Sequence, residues 1–240
     1  MIIKTKGYVF RTVKYGEHQL IADIFTTSNG LLSFIVPGAR KAGNSSKAIF
    51  LQTLSSLELV IEVQEGKNLQ KIKEIKFDRI YTNIQIDIRK GAMILFLSDV
   101  LRHSVRENAP NRELFDFIDL NLQFLDQADK GFSNLSLYFL IHLTAHLGFF
   151  PVNEWTENNN SLNLKEGCFE PFTALSEYRL EAEPSKLLDQ MINIPLHQLG
   201  QITLTRDQRI YLLDKIIWYY RHHLDYFPAL KSLSVLREIF

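Results

Sequence analysis

Cysteine is almost absent from this chain. Its single representative, Cys168, excludes an intrachain disulfide and a cysteine-built zinc cage. Long apolar runs are missing too. The longest, such as Ala92 to Leu97, fall far short of the about 20 residues that span a bilayer, so no membrane partner is expected. The opening MIIKTKGYVFR has no apolar core followed by a small-residue cleavage site, and a cytoplasmic protein is the simplest expectation. Net charge is also lacking, because 27 Lys/Arg balance 27 Asp/Glu. What remains is ordinary: 240 residues with 46% hydrophobic and 22% charged content, enough for one large core or two small ones.

The zero balance hides an asymmetry. Residues 1–80 hold 12 Lys/Arg against 7 Asp/Glu, and residues 81–240 hold 15 against 20. A basic half joined to an acidic one hints at a polyanion-binding module attached to something else.

The two halves also differ in period. KGYVFRTVKYG, HQLIADIFTTSNG and LLSFIVPG are rich in β-branched and aromatic residues and end on Gly-containing turns, Asn29-Gly30 among them. LSSLELVIEVQEGKN and LQKIKEIKFDRIY alternate apolar with charged residues, the period of half-buried strands. Five short strands predict a five-stranded antiparallel barrel of OB size over residues 1–80. Beyond about Ile84 the spacing becomes helical, with Met93, Leu97 and Leu101 four apart. Further helical stretches follow at RELFDFIDLNLQFLDQAD, LSLYFLIHLTAHLG, 183–194, 206–224 and 233–240. The expected class is α+β and multidomain: an OB-fold barrel, then an all-α helical domain over 81–240 with a polar interruption at about 152–180.

Between the third and fourth strands lies VPGARKAGNSSKA, which sets Arg40, Lys41 and Lys47 among glycines and serines without a carboxylate. Such a loop is either a solvated connection or a basic arm that grips phosphates.

YGEHQLIADIFTTSNGLLSFIVPGARK resembles the start of the bacterial recombination mediator family RecO, where a Y-G-E element, an F-T-x-x-x-G hairpin and a G-A-R loop recur in this order. LQTLSSLEL, YFLIHLTAHLGFFP and WYYRHHLDYFPALKSLSVL are similar to later segments of that family, in the right order. The resemblance implies an OB barrel followed by a helical domain, and a nucleoid-associated, non-enzymatic protein. It would bind single- and double-stranded DNA, anneal complementary strands and, with RecR, help load RecA onto DNA coated by single-strand-binding protein (SSB). Two departures matter. Many members carry paired C-x-x-C motifs that hold zinc after the central helix, whereas this chain keeps only Cys168 there; neither a structural zinc nor any other cofactor is expected. Some members also use arginines before the central helix to bind the C-terminal tail of SSB. Here the stretch reads Leu135-Ser136-Leu137-Tyr138, so either the tail pocket is lost or its positive charge comes from another helix.

With the resemblance, the candidate DNA contacts are Arg40, Lys41 and Lys47 in the loop, Arg11, Lys14 and Tyr15 at the end of the first strand, and Lys71 and Lys73 on the fifth. Phosphate contacts by such cations give affinity without sequence preference. Tyr8, Phe10, Phe25 and Phe34 could stack on bases, but Phe25 and Phe34 fall in strand patterns that read as core. Tyr15, beside a turn glycine, is the better stacking candidate. Lys71, Lys73 and Lys76 read equally well as a solvated edge. His142 and His146 stand four apart but lack a third ligand, and they read as packed helix histidines. The acidic flanks of Cys168 argue against a reactive thiol. GARKAGNSSK has no Gly-Lys-Ser/Thr pair and is no phosphate-binding loop of the nucleotidase kind. The competing reading is an interaction scaffold whose barrel binds a protein and has negligible DNA affinity.

Overall fold

The computed structural model describes residues 1–39, 47–106, 109–173 and 178–240. Arg40 and Lys41 therefore lie outside the described residues. The chain divides into two compact units, Met1–Asp119 and Leu120–Phe240.

In the first unit, β1 (Ile2–Tyr15), β2 (Gln19–Thr26), β3 (Gly30–Val36), β4 (Ser56–Glu62) and β5 (Leu69–Arg79) close a barrel in the order β1-β2-β3-β5-β4. This is an OB fold. All pairings are antiparallel except the closing one, in which β3 meets β5 in parallel through Ser33–Leu69, Phe34–Gln70 and Ile35–Lys71. The single parallel pair follows from the chain path: a 3-10 turn (Lys47–Leu51) carries the chain across the barrel end, so that β4 enters beside β1 and β5 fills the remaining gap. At 14 residues β1 is long enough to pair twice, its first half with β4 and its second half with β2. Gly7 belongs to both pairings, opposite Leu57 and Thr26.

The barrel core is Val9, Leu20, Ala22, Ile24, Phe34, Val36, Leu57, Leu59 and Ile61, joined by Ala39 and Leu51 from the ends of the basic loop. Part of the barrel's outer wall is covered. Helix α1 (Asn83–Ile86) leads into α2 (Ile88–Ser104), where Asp87 caps the first turn by accepting from the Arg89 amide at 2.8 Å. Ser98 of α2 donates to the Phe10 carbonyl at 2.8 Å. Phe115, on α3 (Arg112–Gln127), packs 4.9 Å from the Tyr8 ring and 6.4 Å from Phe25, while Phe10 stacks on Phe25 at 5.5 Å. Tyr8, Phe10, Phe25 and Phe34 are thus buried, and none is free to stack on a base.

The Tyr8 hydroxyl donates to Asp119 at 2.5 Å and lies 3.4 Å from the Tyr81 hydroxyl. Burial, and then the neighbouring Tyr81 and Asp119, hold its ionisation well above the ordinary tyrosine range, so it stays a donor. Tyr8→Phe removes a buried donor to a charged acceptor and should cost about 1.5–3 kcal/mol. An unchanged denaturant midpoint would refute that role for the hydroxyl.

In the second unit, α4 (Leu135–Leu147) is buried along most of its length and ends at Gly148, whose φ of 86° is the left-handed turn that glycine adopts without strain. It packs with α5 (Ala182–Asn193) and α6 (Arg206–His223), the latter opened by a Thr205/Gln208 capping box. Tyr220 of α6 donates to the Leu140 carbonyl at 2.7 Å. A short α7 (Ser232–Ile239) follows, tied to α6 by the Arg237–Asp214 ion pair. The polar segment contains a small hairpin, β6 (Ser161–Asn163) with β7 (Cys168–Glu170), which the helical reading of this half did not include. Its three-residue strands are too short to show a period, and they are held by side chains: Ser161 donates to the Leu180 carbonyl, and Ser185 accepts from the Leu162 amide.

Candidate nucleic-acid interface

An irregularity in β1 decides which of its side chains face outward. Val9 pairs with Ile24, and both point into the core. Strict alternation would turn Arg11, Val13 and Tyr15 inward as well. Instead the register shifts between Val9 and Arg11, with Phe10 as the extra residue of a bulge. Beyond it Thr12 pairs with Ala22 and Lys14 with Leu20, both core residues, so Arg11, Val13 and Tyr15 take the outer face with Asp23, Ile21 and Gln19.

Val13, Ile21, Ile35, Lys71 and Glu62 form one continuous row across β1, β2, β3, β5 and β4. Ile21 and Ile35 are half-buried, and Arg11, Tyr15 and Lys71 are exposed around them, Tyr15 at 51%. Among the described aromatics of the candidate set, Tyr15 is the one available for stacking. The β4–β5 turn beside this face is fixed from below by buried Gln70, which donates to the Gln64 and Lys67 carbonyls at 3.1 and 2.7 Å. Exposed Lys67 on that turn is a further cation at the edge, one that sequence reasoning passed over although its Glu-Gly-Lys-Asn turn was visible.

The remaining candidates divide. Lys14 pairs with Leu20, which pairs with Val36, so Lys14 sits at the barrel end from which the basic loop leaves. Lys47 opens the 3-10 turn at that end, where Thr12 donates to the Leu51 carbonyl at 2.9 Å. Lys73, by contrast, is engaged with Glu62 at 2.7 Å, and Lys76 with Glu58 at 2.8 Å. Hydrogen bonding from Lys73 and Gln64, then the Lys73 charge and, more weakly, that of Lys71, push the Glu62 carboxyl down to about 2. With Lys6–Asp78 at 2.7 Å, these pairs make the β1–β4–β5 wall a neutralised ladder rather than a basic face. Among the described residues no ion pair involves Arg11, Lys14, Lys47, Lys67 or Lys71.

No group of three or more metal-ligating side chains occurs among the described residues. His142 lies 3.1 Å from the Met191 carbonyl and 4.1 Å from the Tyr138 ring, and burial lowers its basicity. His222 stacks on Trp218, and His223 lies 3.1 Å from the Leu164 carbonyl. Burial, then Glu170 and Glu166, push the Cys168 thiol up, away from nucleophilic character. One thiol in a hairpin closed by Asn163 and Glu170 does not fit a tetrahedral zinc site. No helix among the described residues is long and apolar enough to cross a membrane.

Residues 1–81 match the family model for the N-terminal part of recombination protein O, and residues 85–234 match that for its C-terminal part. The chain belongs to the recombination protein O family. Curated members agree over their full length. The DNA repair protein RecO of Flavobacterium johnsoniae is 37% identical, that of Flavobacterium psychrophilum 35%, and that of Christiangramia forsetii 34%, each aligned over 100% of both chains. The family places the chain in DNA repair and recombination, and the barrel is the part matched by the N-terminal model.

Proposed function

We propose that the open face of the barrel binds DNA through its phosphates. The observation that carries this is the Phe10 bulge, which gathers Arg11 and Tyr15 on the same outer surface as Lys71. Arg11, Lys71, Lys14, Lys47 and, from the loop outside the described residues, Arg40 and Lys41 neutralise phosphates without reading sequence. Tyr15 stacks on a base, a contact worth about 1–3 kcal/mol in single-strand binders. Bringing two strands onto one cationic surface lowers their mutual repulsion, so that complementary bases meet. The protein thus anneals strands, acts in the cytoplasm on the nucleoid and, with RecR, helps load RecA onto SSB-coated DNA. Its contribution is binding and positioning rather than covalent catalysis. For the SSB tail, Arg209 of α6, which donates to Asn134 at 3.1 Å, brings a cation to the start of the central helix.

The test is annealing of two labelled complementary oligonucleotides, bare and coated with SSB. Acceleration that fades as salt is raised is the expected result. No acceleration and no binding at low salt would contradict it. The neutralised β1–β4–β5 wall favours a second reading, a scaffold that binds a protein partner; that wall would then be the docking surface, and the oligonucleotides would stay unbound.

A further inference from the structure

The last turn of α2 carries Arg102 and His103, and Arg106 follows it. None of these belongs to the barrel strands. Helix α2 is fixed to β1 at one point: Ser98 donates to the carbonyl of Phe10, the residue immediately before Arg11. Arg102 stands one helical turn beyond Ser98 on the same side of α2. The His103 imidazole is held below its ordinary value first by burial and then by the Arg102 charge, against the pull of Asp99, with smaller contributions from Arg106 and Arg11. Through the Ser98–Phe10 bond, the C-terminal end of α2 with Arg102, and Arg106 just beyond it, lies beside the part of β1 that carries Arg11. Among the described residues, nearby carboxylates include Asp99, 3.4 Å from His103, and Asp23, opposite Arg11 and hydrogen-bonded by Ser33 at 2.6 Å. Arg102 is exposed and forms no ion pair among the described residues. The backbone carbonyls at the C-terminal end of a helix add negative potential there, which helps keep cationic side chains in place.

We propose that Arg102 and Arg106 form a second phosphate-binding station, joined to the open face through Arg11, so that a bound strand runs off the sheet and across the end of α2. The proposal rests on DNA binding by the open face and adds length to it. A short strand is held by the barrel alone, and a longer one also engages the helix end.

The experiment compares Arg102→Ala/Arg106→Ala with wild type in binding oligothymidines of about 8 and about 30 nucleotides, since one OB fold covers roughly 4–16. Affinity for the long oligomer should fall, and its salt slope should lessen by about 0.7 per lost phosphate contact, while affinity for the short one stays unchanged. Arg102→Lys, which keeps the charge, should restore most of the long-oligomer affinity. If the double variant melts early, Arg102→Gln carries the same comparison at an exposed position. Unchanged binding of both oligomers would overturn the station and leave the open face standing. Equal loss for both would also overturn it, by merging these arginines into the barrel site. Failure of wild type to bind either oligomer would instead contradict DNA binding by the barrel.

Discussion

Gly7→Ala should lower the barrel's stability by about 1–3 kcal/mol, and Gly7→Val by more. Gly7 is where β1 passes from β4 to β2, and a Cβ there would lie 2.6 Å from Ile24 Cγ2, with the Phe25 carbonyl oxygen at 3.3 Å. Ile24 is fully buried and β-branched, so its methyl has little room to retreat. Domain stabilities of about 5–15 kcal/mol make such a loss large. Trimming the obstacle gives a check on the cause. Ile24→Ala alone leaves a cavity and costs about 2–5 kcal/mol, but combined with Gly7→Ala the two costs should sum to less than their separate values. Thermal or urea midpoints of the four proteins measure this, and strict additivity would show that the methyl contact is not the reason for glycine.

Arg11→Glu/Lys71→Glu should cut affinity for a single-stranded oligonucleotide by at least about 100-fold at low salt, near 2.7 kcal/mol, and abolish annealing. Both side chains are exposed on the open face and form no ion pair among the described residues, so the fold should lose little, within about 0.5 kcal/mol per site. Reversal adds repulsion to the loss of attraction; Lys71 lies in the same row as the half-buried Ile21 and Ile35, and Arg11 in a neighbouring one. A melting midpoint that stays in place while binding collapses separates contact from folding. Retained affinity would move the site elsewhere on the molecule.

Much of this was legible in the sequence because the strands alternate and the helices repeat every three to four residues. β4 shows Leu57, Leu59 and Ile61 facing in, and α2 shows Met93, Leu97 and Leu101 on one side. Turn glycines marked most boundaries. The Phe10 bulge left no such trace: Tyr8, Val9 and Phe10 are all apolar and all buried, because α2 and α3 cover the outside of β1 there. With both sides buried, alternation vanishes over those residues, and the switch that turns Arg11 outward cannot be counted. The ladder was hidden for another reason. Lys73 and Lys76 look like a basic edge within β5, but Glu62 and Glu58 reach them from β4, and only cross-strand pairing brings the charges together. Nothing in the sequence singles out Arg102 and Arg106, because only the Ser98–Phe10 bond brings the end of α2 to β1.

The central claim is that the exposed cations of the open face, Arg11 and Lys71, rather than the barrel's total charge, hold DNA. The most direct measurement is the salt dependence of single-stranded oligonucleotide binding for three proteins: wild type, Arg11→Ala/Lys71→Ala, and the charge-neutral pair deletion Lys73→Ala/Glu62→Ala. Loss of two phosphate contacts should reduce the slope of log affinity against log salt by roughly 1.4 in the first variant, and the second should keep the wild-type slope. The reverse pattern, with the slope intact in Arg11→Ala/Lys71→Ala and diminished in Lys73→Ala/Glu62→Ala, would place DNA on the β4–β5 wall and contradict the open-face site.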